Sequence, residues 1–561
     1  MIAVGAGCAG LSDPTEQQSG QSTVVTPTGA DVNAPASSSG SIESIDPALA
    51  PPPVTSGTWT KLTNAPATSA GFGFMQLLTD GTVIISEVLA GTWWKLTPDI
   101  TGSYLHGTWT QIAPMPSGYA PLYFGSGVLP DGRVMIEGGE YNQGPAVWTT
   151  LGAVYDPVAN SWKSVTPPSG WSSIGDASAV VLANGTYMQS DCCSTKAALL
   201  NPTTLAWTAT GTGKQGSSND EESWTFLPDG TILTVDCNNT VNLQASEIYT
   251  PSTGKWTLGP NTANKTCDIN SDGSGSHENG PAILRYDGTV YAVGGTGHND
   301  IYTVSTKTWK AAADSPVVSG QGQIDSADGP AVLMPNGNEL LAMSPGVFQT
   351  PTHMYEWNGT ALGEVAAPPN AQFDSSYQNN FMLLPTGEVL LTDFSGDIEL
   401  YTPATRTPVT AAVPSITSTP TLVAGLANAE PAAPAVAEPA AAPAVAEPAA
   451  ASDSLTPAAV ATLHPGSTYN VAALRMNGLS EAVAYGDDAH PATNYPIVRI
   501  TITATHHVFY CRTFAHSTRA IGTTVSGTTN FTIPATAEKG AAVLELVANG
   551  IPSPSISINL K

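Results

Sequence analysis

Along this chain short apolar runs alternate with Gly-containing turns, and the pattern returns again and again. The clearest copy is Gly127-Val128-Leu129-Pro130-Asp131-Gly132-Arg133-Val134-Met135-Ile136, closed by Gly138-Gly139. Equivalent turns stand at Asp80-Gly81, Asn184-Gly185, Asp229-Gly230, Asp287-Gly288, Asn336-Gly337 and Thr386-Gly387. Asp-Gly or Asn-Gly between alternating apolar residues predicts a hairpin whose two turn positions both take φ > 0. A second phrase follows most turns: a Tyr or Asn, often a Pro, then a Trp. It reads Tyr155-Asp156-Pro157 with Trp162, Asn201-Pro202 with Trp207, Tyr249-Thr250-Pro251 with Trp256, and Tyr302 with Trp309.

Four short strands in a unit of roughly 45–55 residues predict a kelch-type β-propeller, and the seven turns predict seven blades. Gly57-Thr58-Trp59-Thr60-Lys61-Leu62 reads as the Trp-bearing end of a blade with no beginning. The last copy, ending at Tyr401-Thr402-Pro403, has a beginning and no Trp. Joining these halves in one sheet closes the ring and removes an edge strand.

The pattern places the propeller at about 56–410. Residues 1–55 are rich in Ser, Thr, Pro and Ala and read as a disordered tail. Its start, with Ala6-Gly7-Cys8, resembles the remnant of a signal or lipoprotein sequence. From 411 to 561 the rhythm changes to longer alternating strands, among them Val498-Arg499-Ile500-Thr501-Ile502 and Ala542-Val543-Leu544-Glu545-Leu546-Val547. About seven such strands predict an immunoglobulin-like β-sandwich. An Ala/Pro low-complexity insert interrupts it at about 425–455, where regular Pro breaks helix. The fold expected is therefore all-β: a seven-bladed kelch-like β-propeller followed by an immunoglobulin-like (early-set) sandwich.

Composition narrows the partners. Lys and Arg total 18 against 45 Asp and Glu, a formal charge of −27, which argues against nucleic acid or anionic lipid as a partner. No stretch is long and apolar enough to span a membrane. The chain is expected to be extracytoplasmic: secreted, periplasmic or lipid-anchored at the cell surface. A Cys237–Cys267 bridge or a vicinal Cys192–Cys193 bridge would require an oxidising compartment.

A propeller closed by an N-terminal strand and followed by an early-set domain resembles galactose oxidase and the glyoxal oxidases, over about residues 56–561. Tyr485-Gly486-Asp487-Asp488, Asn494-Tyr495-Pro496, His507-Val508-Phe509-Tyr510 and Val547-Ala548-Asn549-Gly550-Ile551-Pro552-Ser553 resemble the early-set domain of a bacterial branch. That resemblance implies copper held by two Tyr and two His, with one Tyr cross-linked to a Cys and carrying a radical that oxidises an alcohol or aldehyde. Of these positions Tyr377 is retained, and the early-set His would be His506 or His507. Gln378 stands for the other His, about Glu221 for the cross-linked Tyr, and about Asp176 for the Cys. The copper-radical site is degenerate, and the sequence argues against copper.

In a propeller the residues just before each innermost strand gather round one mouth of the central channel. Here they include Asp176, Glu221, Glu222, His277, Glu278, Asp328, Tyr377 and Gln378. Clustered carboxylates raise one another's pKa unless a cation sits among them. The candidate ions are Ca²⁺, Zn²⁺ or Mn²⁺. A second metal candidate is the calcium-like loop Asp268, Asn270 and Asp272. The function expected is binding of carbohydrate or another cell-surface ligand at an acidic mouth. The alternatives are an oxidase with a rearranged copper site on Tyr377 and His506 or His507, and a carboxylate- or metal-dependent hydrolase or lyase acting on glycans.

Overall fold

The computed structural model describes residues 54–424, 460–488 and 490–561. The expected tail up to residue 53, including Cys8, and the insert at 425–455 lie outside the described residues.

Each repeat contributes four antiparallel strands, and seven such blades form a β-propeller; six are four-stranded sheets and blade six gains a fifth strand from the C-terminal part of the chain. Blade one runs Phe72–Leu77, Val83–Glu87, Trp93–Thr97 and Thr108–Gln111. The innermost strands begin at Phe72, Gly125, Ala179, Thr225, Ala282, Ala331 and Asn380 and are buried throughout. Packed on both faces, they carry the apolar runs of the repeat. The outermost strands lie at the rim and alternate or expose their side chains, as Thr58–Lys61 does.

The turns differ from the expected form. Gly81 N donates to Leu78 O (3.0 Å) and Leu78 N to Thr82 O (2.7 Å). Gly81 has φ +77°, while Asp80 does not have positive φ. Asp80 instead accepts from Thr82 N (3.0 Å) and Thr82 Oγ1 (2.6 Å). The hairpin is thus a type I turn ending in a left-handed glycine. The Asp supplies an acceptor and the Gly supplies the conformation.

The closing blade forms as the two half-phrases predict. Thr58–Lys61 pairs antiparallel with Glu399–Thr402, and Trp59 lies opposite Tyr401. The repeat Trp residues also join neighbouring blades. Trp59, Trp162 and Trp207 donate from Nε1 to Ala366 O (2.6 Å), Ala113 O (2.9 Å) and Thr166 O (2.9 Å), each just past the outermost strand of the preceding blade.

From Ser415 the chain builds a ten-stranded sheet around a core that includes Tyr469, Val471, Val498, Ile500, Phe531, Leu544 and Ile558. This unit lies on the turn side of the ring. Val508 N donates to Ile100 O (2.8 Å), Thr513 N to Thr79 O (3.1 Å) and Arg519 N to Ala183 O (2.8 Å). From there a finger at about 479–496 enters the central channel. Its strand Val483–Ala484 pairs with the innermost strand Ala331–Leu333 of blade six. The finger is held by several blades: Leu333 N donates to Ala482 O (2.7 Å), and Tyr495 Oη donates to Leu77 O (2.6 Å). Ser126 Oγ donates to His490 O (3.3 Å). Among the described residues no helix is long and apolar enough to cross a membrane.

Candidate functional site

Six consecutive blades place a left-handed residue in the loop before the innermost strand: Gly71, Tyr123, Gly175, Glu221, His277 and Asp328. Two are glycines. For Glu221 (φ +56°) and Asp328 (φ +48°) this backbone is uncommon, and such outliers collect at functional sites. These loops surround the finger tip, Tyr485 to Asp488.

Carboxylates dominate the mouth. One oxygen each from Glu221, Asp328 and Asp487 lie within 4.8 Å of one another. Asp487 and Asp488 are each 2% exposed, and Asp487 Oδ2 and both Asp488 oxygens lack a hydrogen-bond partner. Glu278 Oε2 and Asp176 Oδ1 are likewise buried without a partner. Glu140, on the loop after Gly138-Gly139, completes the group. Burial, then repulsion from Asp328 and Asp487, pushes Glu140 up to about 8. Burial raises Asp328 to about 7, partly offset by the Tyr485 hydroxyl beside it. Burial and like charge hold Asp176, Glu221, Glu278, Asp487 and Asp488 well above the carboxylate range.

The finger tip is fitted closely to this ring. Ser178 Oγ lies 2.5 Å from Asp487 O and 2.7 Å from Glu222 O, and accepts from Trp224 N (3.2 Å). A Cβ on Gly486 would fall 2.3 Å from Asp328 Oδ1 and would push that carboxylate aside. Tyr485 Oη donates to Tyr377 O, and its ring stacks at 6.4 Å on Tyr123. Tyr377 thus lies beside the finger tip, edge-on to Phe348.

Several expected members sit elsewhere. Glu222 turns away from its neighbour Glu221 and pairs with the buried Lys214 (2.7 Å), which also pairs with Glu247. His277 turns to Asn238, with Nδ1 3.1 Å from its Oδ1. Gln378 closes the short helix Ser376–Gln378, its Oε1 accepting from Ser375 N (2.9 Å). His506 and His507 lie in the hairpin before Val508–Phe514, where His507 Nδ1 is 2.7 Å from Glu538. They are remote from the finger because the domain approaches from the turn side and reaches the mouth only through the channel. The finger's own histidine is His490. Its Nε2 lies 3.2 Å from Tyr485 O, and burial lowers its pKa to about 4.

The loop carrying Asp268, Asn270 and Asp272 is satisfied internally. Asp268 accepts from Ser276 N (3.1 Å), Asp272 accepts from Ser274 N (3.0 Å), and the Lys265 ammonium lies on Ile269 O (3.0 Å) and Asn270 Oδ1 (3.4 Å). Cys192 is bonded to Cys193, and Cys237 to Cys267. Cys192 lies among Asp176 and Asp220, but a disulfide sulfur is not a thiolate and is a poor metal ligand.

Sequence reasoning did not place Asp487, Asp488 and Glu140 at the mouth. The signal was an Asp-Asp pair between Tyr485-Gly486 and His490, in a segment whose other acid is Glu481, and an acid directly after Gly138-Gly139.

No protein-family model matches the chain. It is 31% identical over 127 residues to the "Kelch-like protein terF" of Aspergillus terreus, a stretch of 22% of this chain. The chain spans about a quarter of the length of that curated relative (25%). Among solved structures, a fungal alcohol oxidase of the AA5 family in complex with copper is 12% identical, with a TM-score of 0.45, covering 91% of this chain and 99% of that one. A catalytically inactive virginiamycin B lyase from Staphylococcus aureus with quinupristin is 11% identical, with a TM-score of 0.43, covering 62% and 99%. Over that 127-residue stretch the chain is similar to a kelch-like protein.

Proposed function

We propose that this chain is an exported, galactose-oxidase-like propeller protein that has exchanged copper-radical chemistry for ligand binding at the acidic channel mouth. The ligand class is carbohydrate or another oxygen-rich cell-surface molecule. The observation that carries this reading is the convergence of carboxylate oxygens from Glu221, Asp328 and Asp487 at the channel mouth. The residues present do not fit the copper-radical cofactor. Asp176 and Glu221 stand for Cys and Tyr, Gln378 is used as a helix cap, and His506 and His507 are remote. Cys192 and Cys193 are bonded to each other, so neither offers a thiol for the cross-link.

The two disulfides support an oxidising compartment, hence an extracytoplasmic location. We read the C-terminal sheet as the immunoglobulin-like, early-set sandwich, of a bacterial type. Carboxylates accept hydrogen bonds from sugar hydroxyls, and Tyr123, Tyr377 and Tyr485 supply ring faces beside them.

The test is a glycan-binding screen beside a peroxide assay on copper-treated protein with alcohols and aldehydes. Retention of a glycan without peroxide is the expected result. Copper-dependent peroxide overturns the reading. A second reading has one observation in its favour: Glu140 near 8 and Asp328 near 7 titrate close to neutrality, as a general acid and base would. It predicts cleavage of the retained glycan, which the same screen detects by product analysis.

A further inference from the structure

We propose that the channel mouth is a hard-cation site, of the Ca²⁺ class, in which Glu221, Asp328 and Asp487 each give a carboxylate oxygen and the ion ties the finger tip to the ring. This deepens the ligand-binding reading of the same mouth and rests on it. Two oxygens on opposite sides of an ion with bonds of about 2.4 Å lie about 4.8 Å apart and three spread round it about 4.2 Å, so carboxylates gathered within that range close on an ion by shifts of a few tenths of an ångström. The three oxygens lie within 4.8 Å of one another. They come from three separated segments: the loop before blade four, the loop before blade six, and the finger.

A second observation stands apart from this triad. Asp488 is 2% exposed, and neither of its carboxylate oxygens has a hydrogen-bond partner. Its field is felt together with those of Asp487, Asp328, Glu140 and Glu278. A buried carboxylate without a donor is costly, and a cation is the remedy that suits a group of them. Among the described residues no Lys or Arg is within ion-pairing distance of Glu221, Glu278, Asp328, Asp487 or Asp488. Lys214, the buried cation of this region, is taken by Glu222 and Glu247.

The donor set chooses the ion. It holds oxygens and no thiolate, and His277 and His490 are turned to Asn238 and to Tyr485 O. Ca²⁺ takes six to eight oxygens in flexible geometry, whereas Zn²⁺ prefers nitrogen and sulfur. The buried, partnerless oxygens of Glu278 and Asp488 are available to enlarge the shell beyond three.

The experiment strips the purified full chain with EDTA and titrates Ca²⁺ by calorimetry, with Zn²⁺ in parallel and a melting curve at each endpoint. Beside it run the double variant Asp328→Asn, Asp487→Asn and a control variant, Asp272→Asn. The expected result is stoichiometric Ca²⁺ binding, weaker Zn²⁺ binding, and a rise in Tm of roughly several degrees at saturating Ca²⁺. The double variant should lose at least about tenfold in affinity and gain no Tm from Ca²⁺. In EDTA it should melt at or above wild type, because removing two crowded charges relieves repulsion. Asp272→Asn should bind as wild type does.

The proposal is overturned if wild type binds no Ca²⁺ at millimolar concentration, if the double variant binds equally well, or if Asp272→Asn removes the binding. It is overturned too if the double variant is already unfolded in EDTA, since the carboxylates then serve the fold without an ion. Ca²⁺ binding with no glycan retained leaves this inference standing and the ligand reading fallen. Glycan retained in EDTA with no Ca²⁺ bound gives the reverse.

Discussion

Trp59 and Tyr401 face each other across the closing blade, ring centroids 4.8 Å apart and planes at 46°, although they come from opposite ends of the propeller sequence. Tyr401 Oη donates to Glu356 Oε1 (2.6 Å) in blade six and accepts from Gly57 N (2.9 Å). One aromatic pair therefore joins the first strand to the last blade and that blade to its neighbour. Trp59→Ala should cost about 2–4 kcal/mol, the range for losing a large aromatic from a packed site. Urea denaturation with an unchanged slope would report it. Wild-type stability in this variant would show that the ring closes without the pair.

Blade seven carries a pH-dependent strain. Glu399 is 1% exposed, and neither of its carboxylate oxygens has a hydrogen-bond partner. Burial, then repulsion from Asp393 and Asp397, pushes it up to about 8, against partial relief from Lys61. In the unfolded chain it titrates near 4.3. The folded chain thus keeps a proton that the unfolded chain releases between these values. The contribution to stability is full below about pH 4.3 and is lost as pH rises towards 8. Glu399→Gln should be more stable than wild type by on the order of 2 kcal/mol at pH 8 and nearly equal to it at pH 4.5. Denaturation at the two pH values checks this, and an equal difference at both would refute it.

The Cys237–Cys267 bond joins the loop that follows the second strand of blade four to the loop that precedes the innermost strand of blade five, across 30 residues. Constraining a loop of that length in the unfolded chain contributes roughly 3–4 kcal/mol. The double variant Cys237→Ser, Cys267→Ser should melt several degrees lower, by calorimetry. Reductant should lower wild type towards the same value. The adjacent Cys192–Cys193 bond closes no comparable loop, so removing it should change Tm little. A Tm insensitive to both changes would mean that the long-range bond contributes nothing.

The features legible along the chain are local. A Gly one or two residues before each second strand can be read directly, because the turn chemistry lies within five residues, even though the turn is type I and not the form expected. Seven such turns with their Trp phrases count the blades, and the two half-phrases close the ring. The expectation that Glu221, Asp176 and Gln378 stand for a Tyr, a Cys and a His rests on the same kind of offset from a turn. Contacts across the ring are not written in any local stretch of sequence. Glu221 and Glu222 are adjacent, yet one meets Asp328 and Asp487 while the other meets Lys214. Nothing local distinguishes them; the decision is made by which side of the left-handed loop faces the channel. His507 follows the family's phrase but ends on Glu538, on the far side of the ring. Asp487 and Asp488 reach the mouth because the finger pairs with Ala331–Leu333 and is carried up the channel. Backbone pairing, which depends little on side-chain identity, sets that depth. The membership of the site is therefore a property of the folded ring and its finger together.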